Sequence, residues 1–96
     1  MANQDYYQIL GVTKDVDMAQ IKVAYRDLAF RFHPDTNKDN PDAVDKMKQI
    51  NEAYAVLSDS KKRRDYDSLR QQYDSADAYT HFRKNYSDQD IFTGTD

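Results

Sequence analysis

A chain of 96 residues with 39% hydrophobic and 32% charged residues, only two glycines and only two prolines has the makings of one small helical domain and too little core to enclose a large substrate pocket. The absence of cysteine excludes disulfides, thiol chemistry and the usual zinc clusters, and a net charge of -3 argues against nucleic acid as a partner. The opening MANQDYYQIL lacks the basic-then-apolar pattern of an export signal, and no run approaches the ~18 apolar residues of a membrane span, so a cytoplasmic location and no membrane partner are expected.

In chain order, residues 5–10, DYYQIL, predict a brief first helix, with Asp5 placed to cap it and Gly11 to end it in a left-handed turn. A second helix is predicted over 18–32. Asp17 is its N-cap, Gln20 the capping-box partner and Val16 a hydrophobic staple against Ile21. Ile21, Ala24, Tyr25, Leu28 and Phe32 then make one apolar stripe at helical spacing. Pro34 stops this helix, because proline lacks an amide donor and forces its predecessor out of helical geometry. A third helix starts at Asn40 as N-cap, with Pro41 at the first helical position and Asp42 at the positive end of the dipole. Its stripe of Ala43, Met47, Ile50, Tyr54 and Leu57 matches that of helix two, so the pair should form an antiparallel hairpin with residues 33–40 at its tip. KKRRDYD predicts a short basic fourth helix, with Tyr66 and Leu69 packing under the hairpin.

The tip holds the tripeptide His33-Pro34-Asp35. A catalytic pair of imidazole and carboxylate finds no third group forced nearby. A calcium loop would use Asp35, Asn37 and Asp39, but Asn40 stands where its glycine belongs and Lys46 where its glutamate belongs. Neither an enzyme nor a metal or cofactor site is expected. By itself the tripeptide reads as a helix stop.

Its context says more. DYYQILGV, IKVAYRDLAFRFHPDTN, KMKQINEAYAVLSD and KKRRDYD, in order and without gaps over about residues 4–68, resemble the J-domain of the DnaJ co-chaperone family. The resemblance implies an all-α, four-helix domain over 1–69 with the His-Pro-Asp loop at the tip of its hairpin. It also implies docking on a DnaK-type heat-shock chaperone, at its nucleotide-binding domain and interdomain linker, which stimulates that partner's ATP hydrolysis in protein folding. The partner-binding residues carried over are His33, Pro34 and Asp35, the basic Lys22, Arg26 and Arg31 of helix two, and Tyr25, Asn37, Lys46 and Lys48. Clients would be held by regions outside this chain, and the fragment itself is expected to be monomeric. The alternatives are a structural helical module, or a nucleic-acid binder using KKRR with Lys22 and Arg26.

Three positions depart from the family pattern. Val23, Asp27 and Thr36 stand where basic residues are usual, which thins the positive face. Val23 and Phe30 lie one heptad apart on the side away from the seam, and the tail is the expected cover for them. In that tail, residues 70–96, the steps Leu69, Tyr73, Ala76, Tyr79, Phe82 and Tyr86 admit a short fifth helix. The ending SDQDIFTGTD resembles the Asp-Ile-Phe motif of the linker that follows J-domains, so a fragment of a longer co-chaperone is expected.

Overall fold

The computed structural model describes residues 5–93. It is all-helical among these, with α1 (Tyr6–Leu10), α2 (Met18–Phe32), a 3-10 turn (Pro34–Thr36), α3 (Pro41–Leu57), α4 (Ser60–Gln72), α5 (Ser75–Asn85) and α6 (Asp88–Phe92). None of these helices is long and apolar enough to cross a membrane.

The helix ends follow their capping residues. Asp5 accepts from the Tyr7 amide, and Gly11 at φ 71° closes α1 in the left-handed region, which a residue with a Cβ occupies only at a cost. Asp17 and Gln20 form the expected reciprocal capping box on α2. Asn40 caps α3, with Pro41 in its first turn.

Helices α2 and α3 lie along one another in antiparallel order. The Tyr25 hydroxyl donates to Asn51 Oδ1 at 2.9 Å, Tyr25 stacks on Tyr54 at 4.2 Å, and the Lys46 ammonium sits 5.6 Å from the centre of the Phe32 ring. Later residues of α2 thus meet earlier residues of α3. The expected stripe of α3 is only half of its buried surface, for Ala53, Ala55 and Val56 are also fully buried. The reason is position: α3 packs against α1, α2, α4 and α6, and from Ile50 to Leu57 none of its residues is exposed, whereas its first turns keep an open solvent face.

A group of aromatic rings occupies the centre. Tyr6, Tyr66 and Phe82 are fully buried, with Tyr6 and Tyr66 4.7 Å apart. Phe82 presents to each an edge-to-face contact, at 5.9 and 5.7 Å. Their polar ends are all used, as burial demands. The Tyr66 hydroxyl donates to buried Asp5 at 2.8 Å and accepts from the Tyr6 amide, while the Tyr6 hydroxyl donates to Glu52. Asp5 also pairs with Arg70 at 3.4 Å. The Tyr7 hydroxyl donates to Asp67 at 2.6 Å and accepts from Arg63 Nε at 3.0 Å.

Burial, and then the bond to Asp67, pushes the Tyr7 phenol up to about 12. Burial likewise raises Tyr6 and Tyr66. Since an unfolded tyrosine titrates near ~10, the unfolded chain loses these protons first. The stabilisation is therefore whole below pH ~10 and is lost as pH climbs through the folded values. Denaturant midpoints should fall steadily from pH ~10 upward, and Tyr7→Phe should flatten that slope; a midpoint constant up to pH ~11 would contradict it.

The tail folds back on this core, with two corrections to the sequence reading. The apolar steps from Leu69 to Tyr86 do not run along one helix. Asp74 accepts from the Asp77 amide at 2.9 Å and caps a new helix there, so Tyr73 falls in an extended junction. Tyr73 and Ala76 are exposed, and Ala78 is the buried alanine of the segment. A sixth helix follows, capped by Ser87 and Asp90 and anchored by fully buried Ile91. Nor does the tail cover helix two. Val23 and Phe30 stay 65% and 80% exposed, because α5 packs on α4 and α6 on α3, on the far side of the hairpin.

Candidate functional site

Where α2 ends, His33 takes an extended backbone conformation and the 3-10 turn begins at Pro34. The His33 imidazole turns back on this turn, its Nδ1 accepting the Asp35 amide at 3.1 Å. The Asp35 carboxylate stands 3.7 Å from the same nitrogen and is itself 84% exposed. The His33 carbonyl accepts three hydrogen bonds, from the Thr36 amide and hydroxyl at 3.1 Å each and from the Asn37 side-chain amide at 2.9 Å. That same amide nitrogen also donates to the Arg31 carbonyl at 2.9 Å, so Asn37 ties the last turn of α2 to the loop. The Asn40 amide donates to the Asn37 carbonyl, and Asn40 in turn caps α3.

Of the ten residues expected to meet a partner, Arg31, His33, Pro34, Asp35 and Asn37 are thus gathered at the tip. Asn37 serves there as an internal tie. Lys22 and Arg26 are exposed on one side of α2, and Arg31 pairs with Asp27 at 3.6 Å across solvent. Tyr25 and Lys46 belong to the α2–α3 seam, the first through Asn51 and Tyr54, the second over Phe32. Lys48 stands apart from all of these, at the mouth of an open cleft of about 350 Å³ between α3 and the tail, with Arg83, Asp88 and Phe92.

Thr36 is the tip residue that sequence reasoning missed. In the sequence it stands out only as a missing positive charge, whereas its hydroxyl locks the turn. The signal was present in a hydroxyl residue three positions after the last carbonyl of a helix, a spacing that favours side-chain to backbone bonds.

The basic run KKRR is largely consumed by the fold. Lys62 is buried, and its ammonium donates to the carbonyls of Ile91 at 2.7 Å and Thr93 at 3.0 Å. Arg63 donates to the Val16 carbonyl at 2.6 Å as well as to Tyr7. Lys61 pairs with Asp65 at 3.1 Å and donates to the Tyr86 hydroxyl. A nucleic-acid surface built on this run would lack most of its cations. Among the described residues there is also no cluster of histidine and carboxylate side chains arranged to hold a metal ion.

An all-helical unit whose antiparallel hairpin presents His33-Pro34-Asp35 at its tip has the architecture of a J-type helical module. The chain belongs to the DnaJ domain family, a family of co-chaperone domains and not of catalytic enzymes: the DnaJ domain model matches residues 5–67. It is 58% identical over 65 residues to the chaperone protein DnaJ of Halothermothrix orenii, a match covering 68% of this chain and 17% of that protein. With the chaperone protein DnaJ of Methanosarcina acetivorans it shares 48% identity over 93 residues, covering 97% of this chain and 22% of the relative. The chain thus spans about a fifth of the length of these relatives. Among solved structures, the J-Trx1 fragment of ERdj5 superposes with a TM-score of 0.66 at 33% identity, covering 82% of this chain and 41% of that one.

Proposed function

We propose that this chain docks on a DnaK-type heat-shock chaperone and stimulates its ATP hydrolysis, in service of protein folding in the cytoplasm. Residues 1–69 carry the docking and 70–96 serve as a linker, whose helices α5 and α6 pack on α4 and α3. The observation that carries this reading is the tip itself. In a member of the DnaJ domain family, a His-Pro-Asp turn is held in shape from within and its side chains point to solvent, with no core task to explain them. Nothing in the turn is arranged to hydrolyse a bond, so the chemistry belongs to the partner. The tip would meet the junction of nucleotide-binding domain and interdomain linker, with Lys22 and Arg26 facing acidic groups beside it. Steady-state ATP hydrolysis by a DnaK-type chaperone, with and without this chain, tests this directly. Absence of stimulation across several such chaperones would leave a purely structural module.

The role of the basic residues has its own signature. Exposed charges act through long-range attraction, which salt screens over ~10 Å at 0.1 M and ~3 Å at 1 M. Lys22→Ala with Arg26→Ala should therefore lower the association rate by about tenfold at low salt and hardly at all at high salt. Surface plasmon resonance over a salt series reads this. A loss independent of salt would mean that these side chains pack against the partner instead of steering it.

A further inference from the structure

The outward half of α2 is not uniformly basic. With Ile21 taken as the inward direction and about 100° per residue, Lys22, Arg26, Phe30, Val23, Asp27 and Arg31 follow one another around it. Cations hold both margins. The centre belongs to Val23 and Phe30, 65% and 80% exposed, seven residues or about 10 Å apart along the axis. Asp27 adjoins them. Isolated exposed apolar side chains are ordinary, but here two of them share one stripe, framed by charge, on the helix that leads to the tip. The Asp27–Arg31 pair beside them is open to solvent on both sides, with exposures of 62% and 63%, so exchanging it for contacts with a partner sacrifices little.

We propose that Val23, Asp27 and Phe30 are specificity-determining residues at the centre of the chaperone-docking face. The DnaK-type chaperone that this chain serves would present there an apolar patch with a basic side chain next to it, inside the acidic surround that Lys22 and Arg26 require. This rests on the function proposed above. Charge complementarity selects such a partner over a second copy of the chain. Two copies meeting face to face would oppose Lys22, Arg26 and Arg31 with the same three cations, and each copy has only Asp27 to offset them. A partner lacking the matching patch would leave Phe30 against polar groups and Asp27 against acidic ones, which disfavours it.

The test uses two purified DnaK-type chaperones, one from the same organism and one from a distant bacterium, and measures affinity together with stimulation of ATP hydrolysis. For the double variant Val23→Ala, Phe30→Ala, affinity for the same-organism chaperone should fall about tenfold, and for the distant one less than about twofold. The loss should persist from about 0.1 to 0.5 M salt, since it does not act through screened charge, and the thermal midpoint should not move. Asp27→Lys should weaken binding to the first chaperone and strengthen binding to the second. Equal losses on both chaperones by the double variant, no loss on the first, or a gain on both by Asp27→Lys would each overturn the proposal while leaving the docking function standing. If the unmodified chain stimulates neither chaperone, the docking function itself falls, and this inference with it.

Discussion

His33→Gln should reduce stimulation of chaperone ATP hydrolysis to background while the fold stays intact. The side chain is about half exposed, and its one internal bond is as an acceptor for the Asp35 amide. The glutamine amide oxygen lies one bond farther out than Nδ1 and does not replace that bond, but the three hydrogen bonds to the His33 carbonyl use the main chain and are kept. The change in stability should be within about 0.5 kcal/mol, as for other surface substitutions. What the variant lacks is the imidazole ring and the chemistry it offers a partner. Single-turnover ATP hydrolysis together with circular dichroism and a thermal melt separates the two effects. Loss of helicity in step with loss of stimulation would make His33 a structural residue and remove the tip from the docking surface.

The largest effect on stability should come from Phe82→Ala. Its ring is fully buried, lies edge-on to Tyr6 and Tyr66 and stacks on Tyr86 at 4.5 Å. Truncating a buried phenylalanine typically costs about 3–5 kcal/mol, through lost transfer energy and the cavity left behind. In a small domain with about 5–15 kcal/mol in total, that is a large part of the whole. Because Phe82 touches the rings that hold α1 and α4 together, the loss should appear as one cooperative transition at lower denaturant concentration. The opposite outcome would be an unchanged main transition with amide exchange accelerated only in α5 and α6. It would make the tail a separable appendage.

Much of this was legible in local chemistry. Asp5, Asp17, Gln20 and Asn40 are caps whose capping bonds lie within three residues of themselves, so their reading as caps needs no knowledge of the rest of the chain. The hairpin follows from two matching stripes, and the tip from a proline at the end of one helix and another at the start of the next. What sequence reasoning could not settle depends on distant partners. Ala53, Ala55 and Val56 are off the expected stripe of α3 and are buried only because other helices come to rest on that side. Lys62 reads as a surface cation until the carbonyls of Ile91 and Thr93 arrive to meet it. The tail does hold the expected fifth helix, but Asp74, a strong cap, starts it anew, so Leu69 belongs to the helix before it and Tyr73 to the junction between them. Phe30 and Val23 show the converse case, in which an apolar residue raises the expectation of a cover and none is supplied.

The three hydrogen bonds on the His33 carbonyl bear on how a partner would experience the tip. Fixing the backbone of a free residue costs roughly 1–2 kcal/mol in entropy, so ordering a slack loop from His33 to Asn37 would subtract several kcal/mol from any binding energy. Here that ordering is complete before an encounter. A small contact area can then suffice for recognition, and no compensating large interface is needed to hold the loop in place. Such a preorganised tip suits a visitor that must be recognised quickly, act once and leave.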